Sequence, residues 1–262
     1  MSRIRETFAR LRRENRRGFI PFITAGDPDL GTTRALIVQL ARAGAAIIEL
    51  GVPFSDPMAD GPVIQRASER ALRNRVGVGE VLSVIKDVQR ETDVPIVLFS
   101  YYNPLLQYGA QRLSAEASGA GVDGMLVTDL APEEAGDFAA TLSAHGLDFI
   151  FLVAPTSTDA RLRQIAARAS GFIYAVSRAG VTGEHREMST EAEHLVGRVR
   201  AVSDLPVAVG FGISSREQVA EVWRYADAAV VGSAIVSEIE KRHATPGLAA
   251  HIGQFAHDLL PS

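Results

Sequence analysis

Short apolar runs recur along the chain, and each is followed by a loop rich in Gly, Pro or Asp and then by an amphipathic stretch. Most of these runs are continuously apolar rather than alternating, which is typical of strands buried on both faces of a parallel sheet. The pattern predicts eight strands: Phe19–Thr24, Ala46–Gly51, Pro95–Ser100, Gly124–Thr128, Asp148–Val153, Phe172–Val176, Pro206–Gly210 and Ala228–Gly232.

Stretches with helical periodicity lie between these strands. They are Thr32–Ala43, Val78–Glu91, Ala131–His145, Ala160–Ala169, Glu191–Val202 and Arg216–Tyr225, and a last stretch, Leu248–Leu260, follows the eighth strand. Strand–helix alternation implies parallel pairing through right-handed crossovers, and eight repeats without an intervening linker predict one (β/α)8 TIM-barrel domain over residues 1–262. An open doubly wound sheet is the alternative, but the loop Thr24–Pro28 after the first strand lacks the G-x-G-x-x-G fingerprint common in that fold.

An extra helix is predicted before the first strand, because Ile4, Phe8 and Leu11 recur at the spacing of one helical face. Seven arginines share the first 17 residues with this face. We interpret the segment as a helix that docks through its apolar face and turns its arginines to solvent. A transit peptide and a polyanion-binding arm are the alternatives.

The composition of the chain argues against several classes of partner and of catalytic site. The formal net charge of −4 argues against nucleic acid or an anionic membrane as a partner, and no apolar run reaches the roughly 18 residues of a membrane span. The chain has no cysteine, which excludes disulfides and thiolate catalysis and is compatible with the cytoplasm. Its six histidines are scattered without a metal-ligand spacing, so no metal site is predicted.

Two neighbouring glycine turns predict a phosphate site. Gly212 follows the seventh strand, Gly232 and Ser233 follow the eighth, and both turns lead directly into helices. Unpaired backbone N–H groups and the helix dipole attract phosphate there, and these loops are the usual phosphate site of phosphate-binding barrels. The alternative is that the glycines only make tight turns, with Ser214 or Ser215 as a helix cap.

Two carboxylates are candidates for acid–base chemistry. Glu49 interrupts the apolar second strand, and burial against apolar walls is expected to raise its pKa toward the working range of a general acid–base group. Asp60 lies in the proline-rich loop that follows, beside Gly61. The alternatives are a structural ion pair for Glu49 and a turn or helix-cap role for Asp60 and for its neighbour Asp56.

Aromatic residues at the ends of several strands predict a flat apolar pocket. They are Phe22, Tyr101, Tyr102, Tyr174 and Phe211. The polar loop Ser177–Glu187 after the sixth strand contains two glycines and is interpreted as a lid, in which Thr182 orients a carboxylate and Gly183 approaches the phosphate. A loop without a catalytic part is the alternative.

Taken in order along the chain, several stretches resemble the tryptophan synthase alpha-subunit family. They are Pro21–Pro28, Ile48–Pro57, Ala59–Gln65, Tyr101–Pro104, Ser177–Gly183, Val209–Ser214 and Val231–Val236. The resemblance implies a lyase that carries out retro-aldol cleavage of indole-3-glycerol phosphate to indole and glyceraldehyde 3-phosphate, in tryptophan biosynthesis.

The resemblance also implies roles for individual residues. It makes Glu49 the acid at indole C3 and the base at the side-chain hydroxyl, and it places Asp60 at the indole nitrogen. It assigns the indole pocket to Phe22, Tyr102, Tyr174 and Phe211, the phosphate contacts to Gly183, Gly212, Gly232 and Ser233, and the steadying of Asp60 to Thr182.

A partner is implied as well. Family members pair with a pyridoxal-phosphate β subunit, expected here as an α2β2 heterotetramer that docks near Pro53–Asp60 and Asn103-Pro104; no cofactor is expected in this chain. Three alternatives stay open: a stand-alone lyase that releases free indole, another phosphate-binding barrel such as an isomerase, and an inactive barrel that only activates the β subunit. Lys86 and Lys241, the chain's two lysines, lie in helical stretches, which argues against lysine chemistry.

Overall fold

Eight parallel strands form a closed barrel in which the order around the ring is the order along the chain. The structure, a computed structural model, describes residues 2–176, 185–210 and 212–261. The predicted barrel is therefore confirmed. Its strands are β1 (Gly18–Thr24), β2 (Ile48–Gly51), β3 (Ile96–Ser100), β4 (Gly124–Val127), β5 (Asp148–Val153), β6 (Ile173–Val176), β7 (Val207–Gly210) and β8 (Ala228–Val231).

The helices of the described residues surround this barrel or close its ends. They are α1 (Arg3–Arg13), α2 (Leu30–Ala43), α3 (Pro62–Arg73), α4 (Val78–Val88), α5 (Tyr102–Tyr108), α6 (Ala110–Ala120), α7 (Gly136–Ala144), α8 (Asp159–Ala166), α9 (His185–Arg200), α10 (Arg216–Val222), α11 (Ser233–Arg242) and α12 (Leu248–Asp258). Within the parts of the chain that are described, no helix combines the length and the apolar character needed to cross a bilayer.

Alternation along the strands divides the apolar side chains into an inner and an outer core. Ile20 of β1 belongs to the cluster inside the barrel, whereas Phe19 and Ile23 belong to the cluster between barrel and helices. Because successive side chains of a strand point to opposite faces, Phe22 and Thr24 share the inner face with Ile20. This geometry directs polar residues at the strand ends into the mouth of the barrel.

Helix α1 packs against the amino ends of the strands. Ile4, Phe8 and Leu11 join the inner core, which confirms the docking face predicted from their spacing. The Arg3 guanidinium binds both carboxylate oxygens of Asp123 at 2.7 Å and anchors the helix just before β4. This end of the barrel is thereby covered, and the opposite end holds the loops that follow the strands.

Candidate active site

A small cavity opens at the carboxyl ends of β1, β2 and β3. This is the end of a (β/α)8 barrel at which catalytic groups gather. The cavity is lined by Phe22, Thr24, Gly51, Val52, Asp60, Ile64, Ser68, Phe99, Ser100 and Tyr101. Apolar walls with a few convergent polar groups are typical of a small-molecule site.

Glu49 lies on the inner face of β2, directly beside Phe22 of β1 and Val97 of β3. Its side chain is only 1 % exposed, and among the described residues its Oε1 has no hydrogen-bond partner. Burial raises the pKa of this carboxyl from 4.5 to about 8. Glu49 forms no ion pair with any described residue, and at neutral pH it holds a proton that it can donate.

Asp60 ends the loop that joins β2 to α3. The N-cap of α3 is Gly61, without a side-chain hydrogen bond, so the Asp60 carboxylate does not cap this helix. Burial raises the pKa of Asp60 from 3.8 to about 6, and a hydrogen bond from the Tyr101 hydroxyl partly opposes this rise. Asp60 is therefore ionised at neutral pH, where Glu49 is not.

The loop that bears Asp60 is held by its own backbone and by Tyr101. The Asp60 amide donates to the Pro57 carbonyl at 3.0 Å, and the Gln65 side chain donates to the Asp60 carbonyl at 2.9 Å. The Ala59 amide donates to the Tyr101 hydroxyl at 2.9 Å. Tyr101 thus fixes both the backbone before Asp60 and the carboxylate itself.

An arginine on α3, the helix that follows this loop, connects the helix to neighbouring elements. The Arg70 guanidinium makes two hydrogen bonds, of 2.7 and 2.9 Å, to the carboxylate of Asp27, which is only 1 % exposed. It also contacts Glu240 of α11 at 2.7 Å, and Arg66 binds the same glutamate from the solvent side. This network ties the loop after β1, helix α3 and helix α11 together.

Aromatic side chains lie around the Glu49 carboxyl. The ring of Phe22 meets that of Phe99 edge to face, with centroids 5.2 Å apart. Tyr174 is buried, and the pKa of its hydroxyl is raised well above the usual value, first by burial and then by Glu49. The Tyr102 ring, by contrast, packs against Phe138 of α7 with centroids 5.7 Å apart, so it is Tyr101 that lines the cavity.

The predicted phosphate loops lie side by side, because β7 and β8 pair through Gly210 and Val230. Gly212 has a left-handed backbone, with φ of 73°, that favours glycine. Gly232 caps α11 without a side-chain hydrogen bond, and the exposed Ser233 is the first residue of this helix. The amides at the start of α11 therefore lack a side-chain cap, as an anion site requires.

Phe22 connects the phosphate loops to the carboxyl groups. A Cβ built on Gly232 would lie 3.5 Å from the Cβ of Phe22, and Phe22 is the register partner of Glu49. Ser215 caps α10 and exchanges hydrogen bonds with Gln218, so this serine has the structural role that the sequence left open. Three predicted site residues, Thr182, Gly183 and Phe211, lie outside the described residues, as does most of the predicted lid.

Two polar features of the cavity were not identified from the sequence. Thr24 is 2 % exposed, and its hydroxyl has no hydrogen-bond partner among the described residues. Its position two residues after Phe22, on the same strand face, is a signal that would have identified it. The pairing of Tyr101 with Asp60 joins residues 41 positions apart, and no local pattern encodes it.

No described group of three His, Cys, Asp or Glu side chains is suited to hold a metal.

Comparisons with known proteins identify the family of the chain. The family "Tryptophan synthase alpha chain" matches residues 8–255. Curated alpha chains from Solibacter usitatus and Geobacter sulfurreducens are 48 % and 52 % identical, covering 99 % and 92 % of this chain and 97 % and 91 % of their own.

Solved structures extend the similarity to three dimensions. Tryptophan synthase subunit alpha from Legionella pneumophila superposes with a TM-score of 0.92 at 36 % identity, covering 99 % of this chain and 97 % of its own. A chain of tryptophan synthase from M. tuberculosis, in an aminoacrylate-bound form, gives a TM-score of 0.87 at 39 % identity over 99 % and 100 % of the two chains. The chain belongs to the tryptophan synthase alpha chain family.

Proposed function

We propose that Glu49 and Asp60 carry out the alpha reaction of tryptophan synthase, the lyase cleavage of indole-3-glycerol phosphate to indole and glyceraldehyde 3-phosphate. This is the activity of the family to which the chain belongs. The observation that carries the assignment of residues is that two carboxyl groups at one barrel mouth have pKa values of about 8 and about 6. At neutral pH one group is an acid and the other is a base.

Asp60 acts on the indole ring nitrogen. As a carboxylate it accepts the N–H hydrogen bond and stabilises the positive charge that develops on the ring when C3 is protonated. The hydrogen bond from Tyr101 lowers the pKa of Asp60 and so keeps it ionised. Its place in a loop fixed at Pro57 and Gln65 holds the carboxylate in position.

Glu49 acts twice. As an acid it delivers its proton to indole C3, which turns the ring into an electron sink. The resulting carboxylate then removes the proton of the side-chain hydroxyl next to the ring. The C–C bond breaks as the aldehyde forms, its electron pair neutralises the ring, and Glu49 is protonated again, now with the proton from the hydroxyl. Two carboxyl groups in unlike environments divide the labour in this way.

The substrate spans the barrel mouth. Its indole contacts Phe22 and Tyr174, and Phe211 completes the pocket in the family assignment. Tyr102, which that assignment also includes, packs against Phe138 in this structure. The phosphate of the substrate binds the amides at Gly212, Gly232 and Ser233, and the family assignment adds Gly183 as a phosphate contact and Thr182 as the residue that steadies Asp60. The short distance between Gly232 and Phe22 supports this placement, because it puts the phosphate and indole ends on neighbouring strands.

An alpha chain has a beta chain as its partner, and the exposed apolar side chains fit a docking face. Met58 of the loop after β2 is 87 % exposed, and Leu106 of α5 is 50 % exposed. Both lie in or beside the segments Pro53–Asp60 and Asn103-Pro104. The assembly is an α2β2 heterotetramer in the cytoplasm, pyridoxal phosphate belongs to the β subunit, and the alpha reaction needs no cofactor in this chain.

The test is indole release from indole-3-glycerol phosphate, measured with the purified chain alone and with a β subunit. We expect slow release alone, strong stimulation by the partner, and a loss of at least about 100-fold in Glu49→Gln and Asp60→Asn. The control is Glu133→Gln, an exposed carboxyl in the loop after β4 that pairs with Arg161. Fast release without the partner identifies a stand-alone lyase, and full activity in either site variant overturns the assignment.

A further inference from the structure

A groove lies at the end of the barrel opposite the carboxyl groups. It runs between α1 and the segments that precede β6, β7 and β8, and its volume is about 980 Å³. Ala169, Pro206 and Asp227, each shortly before one of these strands, form one wall. The groove is therefore separate from the cavity at the carboxyl ends of the strands.

The groove is strongly basic in a chain that is acidic overall. Six arginines and two aspartates line it, a net charge of +4, whereas the whole chain has a net charge of −4. The arginines are Arg5, Arg12, Arg13, Arg16, Arg17 and Arg200. A concentration of one charge in a concave surface focuses the electric field and attracts ions of the opposite charge.

Half of these guanidinium groups have an internal partner. Arg200 pairs with Asp227 at 3.2 Å, Arg16 pairs with Glu14 at 3.3 Å, and Arg17 donates to the Trp223 carbonyl at 3.3 Å. Arg5, Arg12 and Arg13 form no ion pair with an acidic side chain of the described residues. The guanidinium groups of these three arginines therefore have N–H donors available to a ligand in the groove.

Helical spacing explains why the charges converge. Arg5 and Arg12 are seven residues apart on α1 and so share one face of this helix, and Arg16 lies just beyond the end of the helix. Arg10 of the same helix is exposed but does not line the groove. The position of each arginine, and not only the total charge of the helix, thus determines which of them line the groove.

The floor of the groove is apolar. Phe8, Leu11, Ala166, Leu205 and Pro206 contribute to it between the charged walls. Such a floor accommodates a flat organic group, while the guanidinium forks match the oxygens of phosphate groups. The volume of this open groove is at the upper end of the range for small-ligand pockets, roughly 300–1,000 Å³.

We propose that this groove binds a multiply phosphorylated small molecule of nucleotide size, with the phosphates on Arg5, Arg12 and Arg13 and the organic group on the apolar floor. A long nucleic acid fits less well, because it extends beyond the groove over a surface whose net charge is negative. The site does not depend on the alpha reaction, since none of its residues lines the cavity that contains Asp60.

The test is isothermal titration calorimetry of the full chain with ATP and, separately, with inorganic tripolyphosphate. We expect saturable binding of both that weakens as salt is raised, with ATP binding more tightly because its base covers the apolar floor. The double variant R12Q/R13Q should weaken binding at least about tenfold, since each charge-assisted hydrogen bond contributes to affinity. Both side chains are exposed and glutamine is a good helix former, so the fold should be retained.

The control is Arg10→Gln, which removes one positive charge from the same helix outside the groove, compared with two in R12Q/R13Q. We expect it to bind both probes as the wild type does. Equal weakening in Arg10→Gln and R12Q/R13Q would show a diffuse charge effect and overturn the proposal. Absence of saturable binding, or tighter binding of duplex DNA or anionic vesicles than of ATP, would overturn it as well.

Discussion

At the scale of single residues, two carboxyl groups of similar intrinsic acidity have different pKa values because their surroundings differ. Complete burial on β2 raises the pKa of Glu49 to about 8, and partial burial with a hydrogen bond from Tyr101 raises that of Asp60 only to about 6. The reaction requires a protonated Glu49 and an ionised Asp60. The range of pH in which both conditions hold therefore lies between these two values.

The pH profile of indole release should accordingly be bell-shaped. Activity is expected to fall below a pH of about 6, where Asp60 gains a proton, and above a pH of about 8, where Glu49 loses its proton. The measurement is kcat/KM for indole-3-glycerol phosphate from about pH 5 to about pH 9.5. A profile that is flat across this range would contradict the assignment of the acid and the base.

Removal of the Tyr101 hydroxyl should move one limb of that profile. Because the hydrogen bond from Tyr101 lowers the pKa of Asp60, Tyr101→Phe should raise that pKa and shift the acid limb to higher pH by up to about one unit. The basic limb, which reports Glu49, should stay in place. Tyr108→Phe is the control, since the Tyr108 hydroxyl bonds Glu116 on the surface. An unmoved acid limb would show that Tyr101 does not act on Asp60.

At the scale of elements, the sequence predicts the strands better than the helices. All eight predicted strands agree with the structure to within two residues at either end. Helix α7 begins at Gly136 rather than at Ala131, because the segment beginning at Ala131 forms a turn in which the Glu134 amide bonds the Ala131 carbonyl. Helix α9 begins at His185 rather than at Glu191. Buried strands have an apolar signature of their own, whereas helix ends depend on local hydrogen bonds.

The ion-pair network between elements should be important for stability. Arg70→Ala leaves the buried Asp27 carboxylate without its partner, and breaking a buried pair from one side typically costs about 3–5 kcal/mol. Arg66→Ala is the matched control on the same helix. Because Arg66 is half exposed, its contact with Glu240 should contribute much less to stability than the contact of Arg70 with Asp27.

Urea unfolding followed by circular dichroism measures both effects. Activity offers a second measurement, because α3 follows the loop that bears Asp60 and loss of its anchor should lower kcat in Arg70→Ala even under conditions where the variant is folded. Equal unfolding midpoints for Arg70→Ala and Arg66→Ala would show that the contact with Asp27 contributes little.

At the scale of the whole molecule, the barrel explains which parts of the site the sequence could reveal. Glu49 was identifiable because a charge interrupts an apolar strand, and Gly212 and Gly232 because their turns follow neighbouring strands. The bond between Tyr101 and Asp60 and the groove beneath α1 arise from contacts between distant segments. Such contacts leave no periodic signal in one sequence, so only the closed barrel brings them together.

The site also has a cost for the stability of the barrel. Glu49 has a pKa of about 8 in the folded chain and about 4.5 when exposed, so between these pH values the folded state binds more protons than the unfolded state. The free energy of unfolding therefore decreases as the pH rises through this window. A neutral glutamine does not titrate, and Glu49→Gln should be more stable than the wild type by an amount that grows from pH 5 to pH 8.

At pH 8 the free energy of unfolding of Glu49→Gln is expected to exceed that of the wild type by up to about 3 kcal/mol. The isosteric amide needs no proton on folding, whereas the buried carboxyl must take one up. Urea midpoints of the wild type and Glu49→Gln at the two pH values measure it. Glu133→Gln is the control, because that exposed carboxylate is half accessible to solvent and lies outside the cavity. A difference between Glu49→Gln and the wild type that is the same at both pH values would mean that the pKa of Glu49 is not raised, and the acid of the proposed reaction would then have to be sought elsewhere.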